Sequence, residues 1–251
     1  VSDQSDWAPG SDRYRRSKRR LSQDPIQDGS LHSAHSLQTD EDRWRFEDTG
    51  ITWDFFDVDK IRSGSVERSR HRFRAHLPEL IWNTAALEGN NFTLPEVKTL
   101  LEGVTVGGKK LEDEQQIIAL SEAYNLLDEM VGTSRFSLSK DVSDQVHRLV
   151  ARHEAIEAGS FPGGSYLSTL SDARQRALIY FASATRRQFY FDGNKRTARL
   201  MMTGELMSSG YDIVSVPYSR RLEFNIALDV LFDRDDATEL LRFLTTCTVS
   251  G

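Results

Sequence analysis

The 251-residue chain has little of what several functional classes require. Its single cysteine, Cys247, excludes a disulfide framework within the chain and reads as a buried small hydrophobe near the end of the last helix. A metal site based on His or Cys is not expected, and Gly163-Gly164 is too little glycine for a phosphate-binding loop. Apolar runs stay short of the ~18 residues of a membrane span, and no signal-like apolar block follows the basic cluster near the start. No membrane is expected as partner, and the cytoplasm is the default compartment. A formal net charge of -6 argues against wholesale nucleic-acid binding. Strand-like alternation is almost absent. The chain opens on Val1, not Met, and a missing true beginning is the expectation.

What is present, 38% hydrophobic and 28% charged residues, suits one medium-sized domain with a tail. Residues 1–50 form a polar arm, rich in Ser, Asp, Gln and Arg and without sustained period, expected to be extended or irregular. Its basic block, residues 13–20, reads as a solvated tail, with RNA, a membrane surface or an acidic partner as other destinations. A lead-in follows over 51–77, where Trp53, Phe55 and Phe56 read as plain core or as the contact that packs the arm on the domain.

Helical spacing runs from 65 to 88, broken near Pro78, and closes on Thr84-Ala85-Ala86-Leu87-Glu88-Gly89-Asn90. Gly89 is the natural cap, while the dipole disfavours Glu88 at a helix C-terminus. Further helices are expected from the capping box Thr93-Leu94-Pro95-Glu96 to about 101, over 111–131, from the cap Ser139 to Gly159, over 170–187, from Asn194 to about 209, and from Ser219 and Asp236. Asp236 and Glu239 form a second capping-box pattern. On the 139–159 helix, His153 reads as a core histidine. The chain is therefore expected to be all-α.

Polar chemistry concentrates in Gln188-Phe189-Tyr190-Phe191-Asp192-Gly193-Asn194-Lys195-Arg196-Thr197-Ala198-Arg199. A short loop runs into a helix beginning near Asn194, whose first N–H groups and positive dipole end, with Arg196 and Arg199 one turn apart, make an anion site. Asp192 beside it suits magnesium, which takes one or two carboxylates and fills its shell with phosphate and water. The alternative is an ordinary helix-entry turn with a solvated basic face.

As an ordered pattern the stretch resembles the Fic family signature, His-x-Phe-x-(Asp/Glu)-Gly-Asn-(Gly/Lys)-Arg-x-x-Arg. The resemblance implies a Fic-fold helical bundle over residues 78–251, with little sheet beyond a short flap hairpin. It implies transfer of AMP from ATP to a Tyr, Thr or Ser hydroxyl of a protein target. Asp192 takes the place of the Mg2+ ligand, and Gly193, Asn194, Lys195, Arg196 and Arg199 that of the nucleotide-binding residues, with Asn194 and Arg196 also at catalytic positions. The family histidine falls on Gln188 and its phenylalanine on Tyr190. A glutamine amide cannot act as general base near neutral pH, and losing a positioned base costs ~10² to 10⁴ in rate. The nearest histidines in sequence, His147 and His153, sit on another predicted helix, and no substitute base is expected close by.

Residues 78–90 likewise resemble the family's inhibitory motif, (Ser/Thr)-x-x-x-Glu-(Gly/Asn), carried here by Thr84, Glu88 and Gly89. The resemblance implies that Glu88 pairs with Arg199 and takes the space of the γ-phosphate. Residues 160–169 occupy the flap position and are short for it, so the flap is reduced or the segment is an ordinary Gly-rich loop. Three functions stay open: an adenylyltransferase slowed by Gln188, a nucleotide-binding pseudoenzyme, or a helical partner-binding domain without nucleotide. The Asn-Lys-Arg run also resembles Doc proteins, implying phosphate transfer as a variant. The target is not named by the sequence, and a homo-oligomer fits all three.

Overall fold

A computed structural model describes residues 39–152 and 164–249 of the chain. The basic block 13–20, His153, Gly159 and most of the flap position lie outside them.

The first described helix, α1 (Asp40–Thr49), corrects the reading of this stretch as irregular. The Thr39 hydroxyl accepts the Asp42 N–H at 3.0 Å, three acidic residues occupy the first turn, and Gly50 closes the other end at φ 75°. Local caps thus fix a helix that has no apolar stripe for periodicity to find. Behind it, Ile51, Phe56, Val58 and Ile61 enter the core, while Phe55 is exposed and Trp53 packs beneath the Arg45 guanidinium.

Helices α2 (Val66–Ala75) and α3 (Leu77–Leu87) meet at His76, with Pro78 in the first turn of the second, where the break was expected. The Thr93–Glu96 capping box starts α4 (Leu94–Leu101). The next helix, α5 (Leu111–Gly132), runs as its periodicity predicts. Ser139 caps α6 (Lys140–Val150), which ends at Ala151 rather than at the predicted Gly159. There the Arg152 N–H turns to the Leu149 carbonyl, three residues back, and its guanidinium is drawn to Glu122 of α5.

After the short α7 (Gly164–Leu167), Asp172 caps α8 (Ala173–Arg187), and the motif helix α9 (Asn194–Ser208) follows. A 3-10 turn (Tyr218–Arg220) leads into α10 (Arg221–Arg234), and α11 (Thr238–Thr245) is the last. Its predicted capping box is not what starts it: Asp236 accepts the Thr238 N–H from one residue ahead of the cap at Ala237. The fold is the all-α one expected, and among the described residues pairing between extended segments is limited to isolated bridges such as Val214 with Thr248.

The core is built around α8 and α9, which pack along each other and are buried on nearly every face. Each fully buried Leu, Ile, Phe or Met there contributes about 1.5–3 kcal/mol of burial free energy. Gly204 lets α9 approach its neighbours: a Cβ there would stand 2.2 Å from Phe136 and 2.8 Å from Leu127. Cys247 is buried and free just beyond α11, as read from the sequence.

Candidate active site

Between α8 and α9 the chain reverses in six residues, and two polar side chains hold the turn. Gln188 ends α8 in the left-handed conformation, φ 52°, its N–H donating to the Ala184 carbonyl. Its side-chain amide donates to the Thr185 carbonyl at 2.5 Å, and its Oε1 accepts from Asn194 Nδ2 at 3.1 Å. Asn194 also clasps Tyr190, accepting its N–H at 2.7 Å and donating to its carbonyl at 2.6 Å. Both ends of Gln188 therefore serve the loop, and Asn194 acts first as the staple that shapes it.

Beneath the loop lies one face of α6. The Tyr190 hydroxyl donates to Asp144 Oδ1 at 2.8 Å and sits 2.8 Å from the Ser143 hydroxyl. Burial raises the pKa of this phenol, so it stays protonated as a donor. The His147 ring stacks on Tyr190, and its Nδ1 lies 3.2 Å from the Thr197 hydroxyl. At Gly193, φ 71°, an added Cβ would stand 3.4 Å from His147, Val150 and Ala151. The tyrosine at the family's phenylalanine position thus does more than keep an aromatic ring: it adds a hydroxyl tether to α6.

His147 is far away in sequence and on another helix, yet that helix packs directly under the loop. Burial, then the nearby Arg196, lower its pKa to about 4, so it is neutral at physiological pH. Its contact with Thr197 spans 50 residues of chain, and no local signal announces it.

Above the loop the cations converge. Helix α9 starts at Gly193 with no side chain capping its first turn. Arg196 and Arg199 are both buried, and Arg196 Nη1 lies 3.5 Å from the Val150 carbonyl. Arg196 Nη2 is 3.7 Å from the half-exposed Asp192, whose Oδ1 accepts the Gly193 N–H at 2.6 Å. From the end of α3 comes Glu88: its Oε1 accepts from Arg199 Nη1 at 2.8 Å, and its Oε2 lies 2.9 Å from Lys195 Nζ. The Arg199 contact is the one the motif resemblance implies, whereas the Lys195 contact had no sequence signal. Burial pulls the Glu88 carboxyl upward, but Lys195, Arg199 and Arg196 outweigh it and hold its pKa at about 2. Thr84, one turn earlier, is buried with its hydroxyl 2.8 Å from that of Tyr124, and Gly89 closes α3 at φ 93°.

Arg199 has capacity beyond Glu88. Its Nε and Nη2 are buried without an acceptor, although the guanidinium lies over the Phe224 ring. Buried donors of this kind call for an anion or another acceptor. An uncapped helix start, two buried arginines and a half-exposed carboxylate fit the phosphates of a nucleotide with magnesium. Among the described residues no group of three His, Cys, Asp or Glu could hold a metal alone, so a magnesium here would draw on Asp192 and on phosphate and water oxygens.

No family model matches the chain. A protein adenylyltransferase Fic from Drosophila ananassae is 26% identical over 216 residues, covering 75% of this chain and 43% of that protein. The protein of the same name from Drosophila erecta is 25% identical over 197 residues, covering 67% and 39%. The chain spans about two fifths of the length of these curated relatives. Among solved structures, Fic-1 (residues 134–508) from C. elegans is similar at a TM-score of 0.61 and 21% identity, over 72% of this chain and 67% of that one. A Fic domain containing signaling protein from Bacteroides thetaiotaomicron follows at 0.57 and 16%, over 73% and 93%. The ordered motif, its loop-to-helix geometry and these likenesses together make the chain similar to Fic-family proteins in sequence and in fold.

Proposed function

We propose that this chain is a Fic-type protein adenylyltransferase, using ATP with magnesium to place AMP on a Tyr, Thr or Ser hydroxyl of a protein target, and that Glu88 holds it off. The observation that carries the proposal is the Arg199 guanidinium, buried with two donors unsatisfied and its third nitrogen on Glu88. It is equipped for phosphate and met by a carboxylate. Glu88 in the phosphate space would exclude the triphosphate by like charge as well as by volume.

In this proposal the start of α9 and Arg196 receive the phosphates, Asp192 ligates magnesium, and Asn194 keeps the loop in shape. Magnesium, when bound, would neutralise phosphate charge as the attacking oxygen approaches. Gln188 orients the incoming hydroxyl without accepting its proton, so transfer depends on phosphate positioning and is slow.

A second reading has its own observation. The Gln188 amide donates to Thr185 and accepts from Asn194, which gives the residue a structural post inside the loop and favours a nucleotide-binding regulator without turnover. Doc-like phosphate transfer is the remaining variant, with Lys195 as its motivation.

Calorimetry with magnesium and ATP on the unaltered chain and on Glu88→Gly, followed by ATP labelled at the α- or the γ-phosphate, separates these readings. Tighter binding by Glu88→Gly with α-label on protein supports the adenylyltransferase; γ-label supports the kinase variant. Binding without label supports the regulator. No binding by either form overturns all three.

A further inference from the structure

Three residues of α6, Ser143, Asp144 and His147, meet one side chain of the motif loop, Tyr190. An ionised aspartate only accepts, so the Tyr190 hydroxyl must donate its hydrogen to Asp144 Oδ1, at 2.8 Å. The same phenol oxygen then accepts from Ser143, at 2.8 Å, and the Ser143 oxygen is left to accept from Tyr180, at 3.3 Å. The hydroxyls therefore run in one direction, Tyr180 to Ser143 to Tyr190, and end on the Asp144 carboxylate. Its other oxygen is paired with Lys140. Ser143, Tyr180 and Tyr190 are all buried, so a phenyl ring at 190 would strand the Ser143 hydroxyl where water hardly reaches. The floor under the loop is built for a hydroxyl.

What that hydroxyl holds is the turn itself. Asn194 clasps both the N–H and the carbonyl of Tyr190, and Asp192 stands between these two residues with its Oδ1 on the Gly193 N–H. From this we propose that Asp144, which lies in neither motif, is a positioning residue: by anchoring the Tyr190 hydroxyl to α6 it sets the loop so that Asp192 faces a magnesium ion brought by the nucleotide. The proposal rests on the nucleotide reading above and deepens it. Asp192 is then fixed from two sides, by Asn194 within the loop and by α6 beneath it. A bond to a carboxylate suits this role, because it is stronger than one between two neutral groups.

Two measurements test it. The first needs no nucleotide: hydrogen exchange of the backbone N–H at position 190, followed by NMR in the unaltered chain, Tyr190→Phe, Asp144→Ala and the double variant. Each single change should speed exchange by about tenfold, the worth of one hydrogen bond to a charged group. The double variant should match the single ones, because both remove the same bond. Asp144→Asn keeps an acceptor oxygen and should stay within about threefold of the unaltered chain. Exchange unchanged in the single variants, or effects that multiply in the double, overturn the tether.

The second is calorimetric binding of ATP to Glu88→Gly, with magnesium and with EDTA, alone and combined with Tyr190→Phe or Asp144→Ala. Either change should weaken binding with magnesium by about tenfold and metal-free binding by less than about twofold, since Arg196, Arg199 and the first N–H groups of α9 lie outside the loop. Asp144→Asn should restore most of the magnesium-dependent part. Equal losses in both conditions, or no loss with magnesium, overturn the positioning role. If Glu88→Gly binds no ATP in either condition, the nucleotide reading has failed and the magnesium role falls with it, while the exchange data still decide the tether. Circular dichroism of each variant confirms that it folds.

Discussion

The His147 imidazole lies flat on the Tyr190 ring, with centroids 3.6 Å apart and planes 7° from parallel. Burial and Arg196 lower its pKa from 6.5 to about 4. Below pH 6.5 the unfolded chain therefore takes up a proton that the folded chain refuses until about pH 4. Stability contributed by the neutral ring is full above pH 6.5 and falls as the pH drops through that window, by up to about 3 kcal/mol. Chemical denaturation from pH 7.5 to 4 should show this slope, and His147→Phe should flatten it. A slope unchanged in the variant would place the acid sensitivity elsewhere.

Gln188 falls on the motif position of the family histidine. In the Glu88→Gly background, Gln188→His should raise AMP transfer by ~10² to 10⁴, the usual worth of a positioned base, with ATP affinity nearly unchanged. The gain should appear with a pH profile that rises through the histidine pKa. A rate as slow as that of the parent would mean that the loop, tied by Asn194, cannot present a base at this position.

Gly193 joins the loop to α9 in the left-handed region, φ 71°. An added Cβ would sit 3.4 Å from His147, Val150 and Ala151, so space alone does not forbid it. The backbone conformation does: an L side chain there costs about 1–2 kcal/mol. Gly193→Ala should lower the unfolding free energy by that amount, with a lower midpoint, and weaken ATP binding by Glu88→Gly, as the first N–H groups of α9 move. Unchanged midpoint and affinity would show that the turn tolerates a side chain.

Asp212 is buried at 3% exposure and accepts from both Arg68 Nη2 and Arg72 Nη1, each at 2.5 Å. This carboxylate joins α2 to the segment after α9, behind the helix that carries the motif. Asp212→Asn leaves two guanidiniums without their charge partner. Since both arginines are partly exposed, the loss should be about 2 kcal/mol and not the larger cost of a fully buried pair. A urea titration should show a lower midpoint with unchanged slope.

Much of the helical scaffold was legible because its signals are local. Thr93 and Ser139 each cap a helix through bonds spanning three residues, and Pro78 divides α2 from α3 where a ring is tolerated only in a first turn, whereas the caps Ser65 and Asp172 were not read. Periodicity missed α1, which is held by caps and has no apolar face. It also carried α6 too far, because a pattern of apolar residues does not register where Arg152 is drawn away to Glu122.

The sequence by itself carried the likeness to the Fic family, through twelve ordered positions from Gln188 to Arg199, and the helix start near Gly193 and Asn194. It named Glu88 and Arg199 as partners only through a resemblance, since they lie 111 residues apart. Tertiary structure alone decided that Glu88 is shared with Lys195 and that His147 lies against Tyr190 of the loop. The end of α3 reaches the motif because α3 and α9 both pack against α5. Caps and turns are set by atoms a few residues apart, whereas these contacts depend on where whole helices settle to bury their apolar faces.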